Sequence, residues 1–231
     1  MSEPVRIALV GATGLIGRNV VEIAEGRSDL RLLAITRREI ALSASANTEV
    51  FVAEPSRWGE AFEAHSPQAL ICALGTTWRK AAANEAAFRA VDHELVLRTV
   101  RAAIASGVRR MVVVSSAGAS SSSKSFYLRV KGELERDLAT LGFDRLDILR
   151  PGLLRGQRGG DRRLKERAAI LASPLTDRLL RGPMRRYRSI PAKAVARAAV
   201  ALALKVEQGR FVHDNDMILL AGRSLPQPVG A

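Results

Sequence analysis

Three glycines spaced three residues apart, Gly11, Gly14 and Gly17, stand between an apolar run, Arg6–Val10, and a helical pattern that begins at Leu15. A strand that turns into a helix through so short a glycine-rich link is the opening of a dinucleotide-type βαβ unit. Gly11 permits the tight turn, Gly14 lets the backbone approach a ligand, and Gly17 allows the helix to pack closely on the strand. The N–H groups of Thr13, Gly14, Leu15 and Ile16, with the positive end of the helix dipole, then face an anion. The predicted occupant of such a turn is a diphosphate.

The rest of the first half repeats the same alternation. Strands are expected at Arg6–Val10, Leu30–Thr36, Val50–Val52, Ala69–Ala73, Arg110–Ser115 and Arg145–Arg150. Helical patterns lie between them at Leu15–Glu25, Trp58–Ala64, Asn84–Ser106 and Ser125–Leu141, with Phe88, Val91, Leu95, Val96 and Val100 marking the apolar face of the longest. Strands alternating with helices predict an α/β fold, a doubly wound parallel sheet of Rossmann type with right-handed crossovers. Beyond Pro151 the pattern loosens into the Gly/Arg-rich Gly152–Gly160, followed by an apolar helix at Ala192–Lys205 and a late strand at Met217–Leu220. The 231 residues suit one domain, in which about 151–190 and 206–231 are expected to form a small C-terminal cap over the carboxyl edge of the sheet. Ser120–Ser123 reads as a flexible loop and Pro226–Ala231 as a frayed end.

With 47% hydrophobic and 26% charged residues, the chain is neither disordered nor fibrous. Its apolar stretches fall short of the roughly 20 residues that a membrane span needs, so no membrane partner is expected. Residues 1–10 lack the zones of a secretory signal, and a single cysteine, Cys72, cannot form an internal bridge, so cytoplasmic residence is the expectation. A net charge of +13 invites nucleic acid, but the excess is spread along the chain and aromatics are only 4% of it, which argues against a dedicated nucleic-acid partner. The basic stretch Arg150–Arg188 leaves room for an acidic protein partner or a phosphate-bearing substrate.

At the end of the second strand, where a carboxylate would bind a ribose 2′-hydroxyl, the chain reads Thr36-Arg37-Arg38. Arg37, with Arg38 behind it, can pair a 2′-phosphate through its fork of donors. NADP(H) is therefore the expected cofactor, ahead of NAD(H). After the fifth strand, Tyr127 and Lys131 stand four apart, on one face of a helix. An ammonium near a phenol favours the phenolate, so Tyr127 is the candidate for proton exchange with a carbonyl or alcohol oxygen, and Lys131 is placed to hold the nicotinamide ribose. Ser115 and Ser116 both stand at the strand end where a hydroxyl would hold the same oxygen; of the two, Ser116 is favoured.

Taken in order, Gly11–Gly17, Arg37-Arg38, Leu74-Gly75-Thr76-Thr77, Val114-Ser115-Ser116, Tyr127…Lys131-Gly132-Glu133 and Leu149-Arg150-Pro151-Gly152 resemble the short-chain dehydrogenase/reductase superfamily. The likeness is to its atypical single-domain members, in the branch of the Tat-interacting protein. It covers most of residues 5–205. The resemblance implies a Rossmann fold, NADP(H), Tyr127 as proton donor or acceptor and Lys131 as its partner. It further implies that Leu74 and Gly75 lie beside the adenosine half and that Pro151 approaches the nicotinamide. The chain departs from the superfamily where Leu-Gly-Thr-Thr replaces the usual Asn after the fourth strand.

Elsewhere, His65, His93 and His213 lack ligand spacing, so no metal site is expected. Cys72 reads as a small buried hydrophobe, Asp92 and Glu94 as helix residues that face solvent or act electrostatically near the helix N-terminus, and Trp78 as either a pocket border or a packing residue. Two functions fit: an NADP(H)-dependent oxidoreductase acting on the carbonyl or alcohol of a small molecule, or a non-catalytic NADP(H)-binding regulator that binds another protein. A homo-oligomer fits either.

Overall fold

Residues 3–41, 47–76, 84–156 and 180–226 are described by the computed structural model. In chain order the elements are β1 (Val5–Val10), α1 (Leu15–Glu25), β2 (Leu30–Thr36), β3 (Thr48–Val52), α2 (Trp58–His65) and β4 (Ala69–Cys72). There follow α3 (Glu85–Arg89), a wide π turn (Ala90–Leu95), α4 (Val96–Ala105), β5 (Arg110–Val114), α5 (Phe126–Leu138) and β6 (Arg145–Leu149). The last elements are two short strands, β7 (Leu154–Arg155) and β8 (Ile190–Pro191), then α6 (Ala192–Ala203), β9 (Gly209–His213) and α7 (Asn215–Ser224).

Seven strands form one sheet in the order β3-β2-β1-β4-β5-β6-β9, with every neighbouring pair parallel. The order reverses between β1 and β4, which opens a crevice at their carboxyl ends where ligands bind in folds of this kind. Strand residues are apolar on both faces because both are covered by helices. Ile7 and Leu9 of β1, with Val112 of β5, pack under α1 and α6. Ala8, Val10 and Val113 point the other way, into the layer built by α2, α4 and α5 with Phe62, Val100 and Leu134.

Several expectations give way here. Met217–Leu220 is not a strand but part of α7, because Asp214 caps the helix, accepting the N–H groups of Asp216 and Met217 at 3.1 Å. The seventh strand is β9 instead, inside the stretch expected to serve as a cap. Four of its five residues are exposed, so it carries no alternating apolar signal. The serine run is held, not loose: Ser120 N–H donates to the Leu128 carbonyl at 3.1 Å, and a β-carbon on Gly132 would lie 2.1 Å from the Ser120 carbonyl carbon. Trp78, Thr77, the middle of the Arg150–Arg188 stretch and all but the first residue of Pro226–Ala231 lie outside the described residues.

Candidate functional site

The site is built at the carboxyl ends of β1, β4, β5 and β6. Gly11 has φ +90°, a conformation that only glycine takes without strain, and a β-carbon there would come within 2.5 Å of the Ala73 carbonyl at the end of β4. At Gly17 a β-carbon would sit 2.1 Å from the Gly11 carbonyl oxygen, so α1 is pressed onto the turn that precedes it. Helix α1 begins at Gly14 with no side-chain cap and no acidic residue in its first turn. The Gly14 N–H, expected to face the anion, is instead taken by the Gly11 carbonyl at 2.9 Å, which closes the turn, so among the described residues the dipole and the remaining leading amides, Thr13, Leu15 and Ile16, are those directed at the crevice. Thr13 is exposed at this turn, Leu15 is half-buried and Ile16 belongs to the core. The residues present fit a dinucleotide diphosphate.

Along the crevice, Arg37 and Arg38 are exposed at the end of β2, and Thr36 Oγ1 donates to the Arg38 carbonyl at 2.6 Å, shaping the turn that presents them. Leu74 is half-buried and Gly75 exposed in the segment after β4, while Pro151 is buried after β6. Gly152 beside it is held by Asn215, whose Oδ1 accepts the Gly152 N–H at 2.8 Å and whose amide donates to the Arg188 carbonyl at 2.6 Å. Asn215 was not singled out by the sequence reading.

On α5, Tyr127 is half-buried with its ring 5.5 Å from that of Phe88, and Lys131, one turn on, is buried. The Lys131 ammonium forms an ion pair of 2.8 Å with Asp92, which is 0% exposed. The other Asp92 oxygen accepts the Thr76 N–H at 2.7 Å. Burial pulls the lysine pKa down, but Asp92, with smaller contributions from Tyr127 and Cys72, outweighs it and holds the group above its ordinary value. The expectation that Asp92 faces solvent is thus corrected. Phe88, Asp92 and Val96 are spaced by four, so Asp92 lies on the buried stripe of its helix, and a carboxylate interrupting an apolar stripe was the signal available in the sequence.

The two serines separate cleanly. Ser115 is buried and its hydroxyl donates to the Glu135 carboxylate, which Arg150 Nε also contacts at 3.0 and 3.1 Å. Ser116 is half-buried, and its hydroxyl makes no hydrogen bond among the described residues. Cys72 is buried at the end of β4, and burial pushes its thiol up to about 11. His93 and His213 are each paired with an aspartate, Asp137 at 3.0 Å and Asp147 at 2.8 Å, and no cluster of metal-ligating side chains occurs among the described residues. No helix among them is long and apolar enough to cross a membrane.

A family model described as NAD(P)H-binding matches residues 11–205. Among curated proteins, the mitochondrial protein fmp52 of Aspergillus fumigatus is 33% identical over 225 residues, covering 94% of this chain and 95% of that protein. Mitochondrial FMP52 of Saccharomyces cerevisiae is 32% identical over 218 residues, covering 91% and 94%. Among solved structures, a UDP-glucose 4-epimerase superposes with a TM-score of 0.69 at 12% identity, over 96% of this chain and 84% of that one. The Bordetella bronchiseptica enzyme WbmG in complex with NAD gives 0.66 at 16% identity, over 99% and 81%. At such identities the superpositions speak for the fold. The names of the relatives overturn the expectation of cytoplasmic residence: these proteins are mitochondrial, and a chain without a disulfide framework does not by itself choose among reducing compartments.

Proposed function

Because the chain belongs to the NAD(P)H-binding family, as an atypical short-chain dehydrogenase/reductase, we propose that it is an NADP(H)-dependent oxidoreductase acting on a carbonyl or alcohol of a small molecule. The observation that carries this reading is the placement of Lys131. Its ammonium is buried against Asp92, on the same helix face as Tyr127, and within 3.8 Å of where a β-carbon of Gly75 would stand, so proton-transfer and cofactor-binding segments meet at one charge.

In this reading a bound nicotinamide would supply the hydride chemistry, and the chain's own residues do the rest. Tyr127 gives the proton to the carbonyl oxygen during reduction and takes it from the alcohol during oxidation. Ser116, whose hydroxyl is uncommitted among the described residues, donates to the same oxygen. Lys131 would hold the nicotinamide ribose, and the amides of Thr13, Leu15 and Ile16 would hold the diphosphate. Arg37 and Arg38, where a carboxylate would repel a 2′-phosphate, favour NADP(H) over NAD(H).

The test is direct. NADPH and NADH are titrated into the purified protein, and a panel of aldehydes and ketones is then offered with NADPH to the wild type and to Tyr127→Phe. The expected result is tighter binding of NADPH, turnover of at least one carbonyl, and loss of about 10²–10⁴-fold of that turnover in the variant with cofactor binding kept. Failure of the wild type to take up either nucleotide would remove the reading.

A further inference from the structure

A lone carboxylate buried in an apolar helix stripe is costly unless it is paired and hydrogen-bonded, and Asp92 is both. Its two oxygens serve different elements: one meets the Lys131 ammonium on α5 at 2.8 Å and the other the Thr76 N–H after β4 at 2.7 Å. Gly75 lies between them, since a β-carbon there would be 3.3 Å from Asp92 Oδ1 and 3.8 Å from Lys131 Nζ. Asp92 itself sits in the wide turn between α3 and α4, the kind of helix irregularity that recurs at functional sites.

We propose that Asp92 is a positioning residue of the nucleotide site, which locks the helix carrying Tyr127 and Lys131 to the Gly75–Thr76 segment before the cofactor arrives. The proposal rests on the nucleotide-binding reading above. It assigns Asp92 no contact with substrate or cofactor; it acts through the lysine and through the loop.

Charge is what distinguishes this role from mere packing. Among the described residues, the groups facing Lys131 are Asp92 from the wide turn, Tyr127 from its own helix and Cys72 from the end of β4. Of these, only Asp92 is a carboxylate. With Asn at position 92 the Thr76 amide keeps an acceptor of the same shape, but the buried ammonium loses its counter-charge, and only the smaller contributions of Tyr127 and Cys72 then oppose burial. Lys131 would shed its proton at a lower pH and with it its hold on the nucleotide.

The experiment measures NADPH affinity calorimetrically between about pH 7 and pH 9.5 for the wild type, Asp92→Asn and the double variant Asp92→Asn/Lys131→Gln. The wild type is expected to show nearly flat affinity. Asp92→Asn should bind more weakly, with an added fall approaching tenfold per pH unit at the alkaline end. The double variant should bind weakly and without that pH dependence. An Asp92→Asn protein with wild-type affinity and wild-type pH dependence overturns the proposal. Should that variant not fold, ¹⁵N-lysine spectra of the wild type decide: the Lys131 ammonium, assigned by its loss in Lys131→Arg, is expected to lose its proton only above the ordinary lysine range, and deprotonation within or below that range overturns the proposal. A wild type that takes up no nucleotide at any pH fails the parent reading instead, and the two failures are distinct.

Discussion

Ser115 and Glu135 meet between the end of β5 and α5: the serine hydroxyl donates to a buried carboxylate that the Arg150 guanidinium closes from the far side. In the function proposed above, neighbouring serines have different duties. Ser115→Ala removes a donor from a buried acceptor and should lower stability by about 1–3 kcal/mol, read from denaturant midpoints. Ser116→Ala should leave the midpoint in place and reduce turnover roughly a hundredfold, as loss of a donor to a developing oxyanion does. Inverted results from the two variants would reverse the assignment.

Gly17→Ala should be felt at the first turn. A methyl group placed 2.1 Å from the Gly11 carbonyl oxygen must push α1 away from the strand that feeds it. A destabilisation of about 1–3 kcal/mol is expected from the overpacking, together with loss of NADPH uptake in a fluorescence titration. Unchanged uptake would mean that the diphosphate is held elsewhere.

Cofactor choice should follow charge at the end of β2. Arg37→Glu replaces an exposed cation by an anion, and is expected to weaken NADPH binding by about 10–100-fold. NADH affinity should change far less, since its ribose carries no phosphate at that position. Parallel titrations with both nucleotides give the ratio.

Cys72 predicts an alkaline weakness. Its folded pKa of about 11 lies above the ordinary 9.0 of the thiol. The unfolded chain thus loses this proton first, and between those two values it binds fewer protons than the native state. Stability is full below the lower value and falls as pH rises through the window, by about 2–3 kcal/mol at most. Lys131, also held above its ordinary value, adds a decline of the same sign once pH passes that ordinary value. Urea midpoints of the wild type and Cys72→Ala between pH 8.5 and about pH 11 should differ in slope, and the native thiol should resist alkylating reagents until the protein unfolds.

The elements legible in the sequence were those where one physical signal dominated. β2 and α1 occupy the residues expected of them, because a strand buried on both faces is a continuous apolar run and an amphipathic helix after three glycines has a single reading. β9 was hidden because an exposed edge strand has no apolar alternation, and α7 was mistaken for a strand because Met217–Leu220 is a short apolar run that either element can use. The site divides in the same way. Tyr127 and Lys131 stand four apart just after the fifth strand, and it is that position, more than the spacing, that made them candidates. Asp92 left only its place in an apolar stripe, and neither it nor Asn215 shows in the sequence the distant residue it serves, Lys131 and Gly152 respectively.

The hydrogen bonds of Asn215 make the closing helix more than an appendage to the sheet. By fastening Gly152 and Arg188 from the first turn of α7, a single amide lets the far end of the chain set the backbone beside Pro151. A change in α7 is therefore felt at Pro151 as well as in the core that Ile218 and Leu225 help to fill.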